Sequence, residues 1–282
     1  VGFAALDANT TGDTNVAVGN NALTSSTTAS NNVAVGNSAL LSNTTGTNNV
    51  AVGNGALDAS DTASQCTAVG ANALTSNTAE NNTAVGKSSM EATTTGTRNV
   101  AVGTNVMASN TEGADNVVVG AFAMDASTTA SSNVAIGSKA LTACTSGTRL
   151  VAVGFEALEN STTASDNTAV GSQAMYSCTE GDLNVAIGKG AMYTNTVGDR
   201  NIAIGPNALF SYNPTSNEDS QNVAVGLNSQ FTTTTGISNV SVGVKTLELN
   251  TSGTLNTACG NEALSKNTTG GNNTALGCIT CR

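Results

Sequence analysis

Histidine and tryptophan are absent from this 282-residue chain, and proline occurs only twice. Without histidine the usual general base is missing, and so is the commonest neutral metal ligand. Charged residues make up 10% of the chain, and they carry a net charge of −10. An acidic, charge-poor chain is a poor partner for nucleic acid or an anionic membrane. No run approaches the ~18 apolar residues that a membrane helix needs. No charged start leads into an apolar signal segment, and Val1 stands inside a repeat, as expected of a fragment or a processed product. The glycines form no GxxxxGK[ST] phosphate loop and no GGxGxD calcium repeat. These absences lead to the expectation of a non-enzymatic chain with no cofactor, no metal, no nucleic-acid partner and no membrane insertion.

What is present is a repeat. Asn15-Val16-Ala17-Val18-Gly19-Asn20-Asn21-Ala22-Leu23 returns as NVAVGNSAL from Asn32 and as NVAVGNGAL from Asn49. The marker glycines run from Gly2 to Gly277, and fourteen of their sixteen intervals are 17 residues long. A fixed short period marks a stacked architecture, which overrides the multi-domain prior for this length. We number positions from the marker glycine. Position −4 is Asn in fourteen of sixteen copies, with Cys66 and Leu150 as exceptions. Positions −3 to −1 read Val/Thr/Ile, Ala, Val/Ile, which is a short β-branched strand. An Ala-Leu pair at +3 and +4 predicts a second short strand, and Thr/Gly/Asn tails predict turns. The expected fold is all-β: a parallel β-solenoid or β-roll of about 17 coils with a 17-residue repeat, ~80 Å long at ordinary strand spacing. Residues 1–282 form one repeat domain in this reading, with incomplete terminal coils and a loop insertion at 206–221.

Both faces of the strand are apolar. A thin roll has one interior, so the Ala face is expected to lie against a neighbouring chain. The Asn column, including Asn15, Asn32, Asn49, Asn82 and Asn99, is expected to form a side-chain amide ladder. Position +5 turns aromatic in Tyr176, Tyr193, Phe210 and Phe231. This column is either a stabilising ladder or a ligand or receptor contact, with Tyr212 in the insertion as the nearest further candidate. Acids at +5, such as Asp58 and Asp125, never fall in adjacent coils and read as a solvated face. Cys278 and Cys281 form a CxxC with no second pair, which favours a disulfide over zinc.

The N-[V/T]-A-[V/I]-G repeat resembles the head repeats of trimeric autotransporter adhesins. The following Ala-Leu and SNTTG-like tails are also similar to repeats of phage and large-virus fibres. This resemblance implies a left-handed parallel β-roll, three chains side by side in a homotrimer, and an extracellular, cell-surface or virion location. It implies a structural fibre shaft or head that serves attachment, with a cell-surface glycan or receptor as partner. A head-to-tail filament subunit with open ends is the alternative expectation. An ice-binding solenoid is a weaker one, because the threonines cluster in turns.

Overall fold

The computed structural model describes residues 2–216 and 219–278. Those residues contain sixteen strands and no helix, from β1 (Val16–Val18) to β16 (Thr274–Leu276). The chain is an all-β parallel β-solenoid of the 17-residue repeat. Sixteen strands stand against seventeen expected coils, since only Val1, outside the described residues, precedes the first marker, Gly2.

Two compact units divide the chain: Val1–Lys139 with Ala143–Ser146, and Ala140–Thr142 with Gly147–Arg282. The first holds β1 to β8 (Val134–Ile136), and each strand pairs in parallel with the next. The second holds β9 (Val151–Val153) to β16, paired in the same way. Register follows the repeat: Ala34 lies beside Ala51. It survives the short interval, where Ala68 meets Ala84, and the long one, where Ala203 meets Ala224. The extra residues therefore leave the ladder between the strands intact.

Each coil has one strand, not two. The Ala-Leu pair lies in turns, because the residues at +2 and +4 take left-handed backbone angles: φ is 57° at Ser38 and 52° at Leu40. Such angles cost a non-glycine residue about 1–2 kcal/mol. Burial of the Leu40 side chain returns about 1.5–3 kcal/mol. Its amide also donates to the Ala56 carbonyl of the next coil at 3.0 Å. The turn thus drives Ala39 and Leu40 inward. The marker glycine is required on different grounds. Gly36 has φ of 144°, and a methyl there would strike the Gly53 carbonyl of the next coil.

The strand's inner face is the reverse of the expected one. Ala34 and Ala51 are fully buried, while Val35 and Val52, each 37% exposed, point out. The cause is width. One cross-section already holds Ala39, Leu40, Asn43 and the amide of Asn32, which crosses to the Gly46 carbonyl at 2.9 Å. A methyl fills the remaining space in most coils, while the fully buried Val118 shows that one coil admits a branched side chain at the same inward position. The Ala face is therefore covered by its own coil. The strand face left open is a ribbon of Val, Ile and Thr on the first unit, with Cys259 and Leu276 added on the second.

Candidate functional site

Two columns of side chains dominate the geometry, and both run along the stack. The first is the asparagine column at −4. Asn32 Oδ1 accepts the backbone amide of Asn49 at 2.9 Å, and Asn49 Oδ1 accepts that of Cys66 at 2.9 Å. Asn15 Oδ1 accepts from Asn32, and Asn82 Oδ1 from Asn99, both at 3.0 Å. Each amide nitrogen crosses its own coil: Asn15 to Ala29, Asn49 to Ala63 and Asn82 to Gly96 at 2.7 Å, and Asn99 to Gly113 at 2.8 Å. One side chain therefore closes its coil and ties it to the next. The buried amides of this column are satisfied in this way, where an unsatisfied one would cost about 1–3 kcal/mol.

At Cys66 the thiol donates across its coil to the Ala79 carbonyl at 3.2 Å, and a neighbouring asparagine supplements it. Asn77 donates to the Ala79 carbonyl at 2.6 Å, and its own oxygen accepts from Asn82 at 3.0 Å. Two further departures from the pattern meet in space. Gln230, which stands where Leu or Met is usual, donates to Oγ of Ser241, which stands where Ala is usual, at 2.9 Å. The same nitrogen donates to the Val223 carbonyl at 3.0 Å.

The second column is aromatic. Tyr176 and Tyr193 stack with centroids 5.0 Å apart and 5° between planes. Tyr193 and Phe210 follow at 5.1 Å and 8°, and Phe210 and Phe231 at 5.2 Å and 20°. All four rings are half-buried. Their faces are turned to one another, so the inner faces are covered and the sides of the ladder present ring edges. Sugar stacking needs an open ring face. This arrangement instead ties four successive coils of the second unit together.

Tyr212, the further candidate for a ligand or receptor contact, is fully buried. It sits at +7, in the column of Asn195 and Cys178, and its ring lies against Gly198. A methyl at Gly198 would come within 2.7 Å of the ring and 2.9 Å of Pro214. Counting seven residues from Gly205 would have placed Tyr212 in this inward column. Nearby Asn213 accepts the Thr196 hydroxyl at 2.6 Å, so the insertion starts as packed structure. Arg200 pairs with Asp219 at its far side.

Threonines at +8 direct their hydroxyls along the stack: Thr94 to the Thr111 carbonyl at 3.0 Å, Thr179 to Thr196 at 3.2 Å, and Thr251 to Thr268 at 2.9 Å. The acids expected on a solvated face are partly withdrawn from water. Burial pushes the Asp58 and Asp125 carboxyls up from 3.8. Cys178 is enclosed and its thiol is pushed up to about 12, which leaves it protonated and inert near neutral pH. Cys278 is exposed, while Cys281 lies outside the described residues, and so does the pair they would form. No cleft opens among the described residues, and none of them gather as three or more potential metal ligands.

Fold and columns together define a parallel β-solenoid repeat protein whose coils are fastened by side-chain ladders. No protein-family model matches the chain, and comparisons with curated proteins and with solved structures give no match.

Proposed function

We propose that the chain is a non-enzymatic structural module, forming the shaft or head of a surface fibre on a cell or virion and serving attachment. The observation that carries this reading is the asparagine clamp. It commits the −4 asparagine side chain of almost every coil to closing that coil and holding the next one. The half-buried aromatic ladder serves the same end in the second unit, and the threonine column does so in both. Such a chain works as a spacer or an adhesive surface, self-associated into a multi-chain fibre, a homotrimer in our reading. It would meet a glycan or receptor through its outer loops, such as the exposed Thr215 and Ser216 of the insertion. Electron microscopy of the purified chain tests this. Elongated particles of one length are expected. Open-ended polymers would instead favour the head-to-tail filament, and compact particles would overturn both.

A further inference from the structure

Buried polar atoms that no clamp reaches lie in the +7 column of the first unit. Ser26, Ser60 and Ser127 are fully buried, and their hydroxyls have no partner in the protein. Oδ1 of Asn43 and Oδ1 of Asn110 are unpaired as well. Such atoms are destabilising unless something bonds them. They fall where two kinds of corner meet. In an asparagine corner the +10 carbonyl accepts two amides: Gly46 from Asn32 at 2.9 Å and Asn43 at 3.1 Å, and Gly113 from Asn99 at 2.8 Å and Asn110 at 3.2 Å. In a serine corner it accepts one side-chain amide: Ala29 from Asn15 and Ala63 from Asn49, both at 2.7 Å, and Ala130 from Asn116 at 2.8 Å. Asn43 with Gly46 also carries one side-chain heavy atom more than Ser60 with Ala63. Serine Oγ follows the position of the amide Cγ, and a methyl at the glycine would strike Oδ1, so alanine and the amide exclude each other. Nothing in the serine corner takes the place of the amide nitrogen.

We propose that each serine corner of the first unit binds one ordered water where the asparagine corner has its amide nitrogen. The water accepts from the serine hydroxyl and donates to the +10 carbonyl, as the amide nitrogen does. Its third partner comes from the neighbouring coil. Side chains at +7 of successive coils reach one another: Asn110 donates to Thr93 Oγ1 at 3.5 Å, and in the second unit Asn267 donates to Asn250 Oδ1 at 3.0 Å. Asn43 stands between Ser26 and Ser60 in this column, and Asn110 adjoins Ser127. Their unpaired Oδ1 atoms accept the second proton of each water, and the two lone pairs of Asn43 Oδ1 serve both of its neighbours. Asparagines of the column with other donors have no such need: Asn77 Oδ1 accepts from Asn82 at 3.0 Å, and Asn195 Oδ1 from the Gly198 amide at 2.9 Å. Successive coils rise by about 4.8 Å. A water about 2.8 Å from an atom in each spans that rise at a near-tetrahedral angle. Three polar partners are usual for a buried water.

Magnetic relaxation dispersion of solvent oxygen, measured on the full chain, reports long-lived internal waters and tests the assignment. Ser60→Asn combined with Ala63→Gly gives this coil the corner that Asn43 and Gly46 already form one coil away, so the variant has a native precedent for folding. Circular dichroism checks that it does fold. Its amide nitrogen displaces the water, and the dispersion amplitude should fall by the share of one water. An unchanged amplitude in the folded double variant overturns the assignment. Urea unfolding of Ser60→Ala supplies an independent sign. Removal of a hydroxyl that anchors a water should lower the folded-to-unfolded ratio roughly tenfold. Removal of a hydroxyl that bonds nothing relieves a buried unpaired group, so a raised ratio also overturns the assignment. Neither result bears on the fibre reading, which particle shape tests separately.

Discussion

Asn43 and Gly46 fit each other as one unit. The Asn43 amide donates to the Gly46 carbonyl at 3.1 Å, and a methyl on Gly46 would strike Asn43 Oδ1 and, nearer still, the Ala63 carbonyl of the next coil. The same complementarity recurs at +7 and +10 of other coils. Serine accompanies alanine in Ser26/Ala29, Ser60/Ala63, Ser127/Ala130 and Ser161/Ala164, whereas Asn110, Thr93 and Cys178 accompany Gly113, Gly96 and Gly181. Gly46→Ala alone should destabilise the protein by about 1–3 kcal/mol, as overpacking does. Asn43→Ser with Gly46→Ala should recover the part that the side-chain clash contributes, because it converts the corner to the form found in both adjacent coils. Urea unfolding of the double-mutant cycle measures the coupling. Additivity within about 0.5 kcal/mol would refute the pairing.

Removal of one clamp should be costly out of proportion to its size. Asn49→Ala strips partners from the buried Ala63 carbonyl and Cys66 amide, at about 1–3 kcal/mol for each group left unsatisfied. Exposed Asn54→Ala should change stability by no more than about 0.5 kcal/mol. Equal effects in denaturant unfolding would mean that the column does not hold the coils.

Within the aromatic ladder, Tyr193 is stacked on both sides. Tyr193→Ala should lose about 0.5–1.5 kcal/mol for each stack, along with near-ultraviolet dichroism. Tyr193→Phe should keep both stacks and unfold like the unmodified chain. A stable alanine variant would return the column to the list of ligand contacts.

Acid should not unfold this protein early. Burial raises the Asp58 and Asp125 carboxyls above 3.8, and burial is also the largest cause raising Asp199. Each contributes stability that is fully present below the unfolded value of 3.8 and is lost as pH rises through the raised folded value. The opposing carboxyls, Asp115 and Asp166, are held low by hydrogen bonds from Arg98 and Arg149. They lose their contribution only as pH falls through those lowered values, and solvent screening of these surface pairs makes it small. The melting temperature should hold or rise as pH falls from neutral toward 3.8. A fall over that window would contradict these signs.

Much of this arrangement was legible because a fixed period determines which residues are vertical neighbours. The asparagine column and the run from Tyr176 to Phe231 both follow from counting. Which face of the strand lies inside did not follow. Val35 is more apolar than Ala34, and hydrophobicity alone cannot show that a coil already filled by Leu40 and the Asn32 amide is completed by the smaller of the two. Leu40 itself gave no sign of its left-handed backbone, since that conformation ordinarily calls for glycine or asparagine. Burial and an inter-coil hydrogen bond outweigh the strain.

The inside-out strand is tested most directly by two neighbouring substitutions, Ala51→Lys and Val52→Lys, compared by thermal unfolding followed by far-ultraviolet dichroism. Ala51 is fully buried and Val52 is 37% exposed. An unpaired ammonium buried at position 51 costs several kcal/mol. The arrangement described here predicts that Ala51→Lys loses the native signal while Val52→Lys keeps it. A folded Ala51→Lys protein beside an unfolded Val52→Lys protein would contradict it.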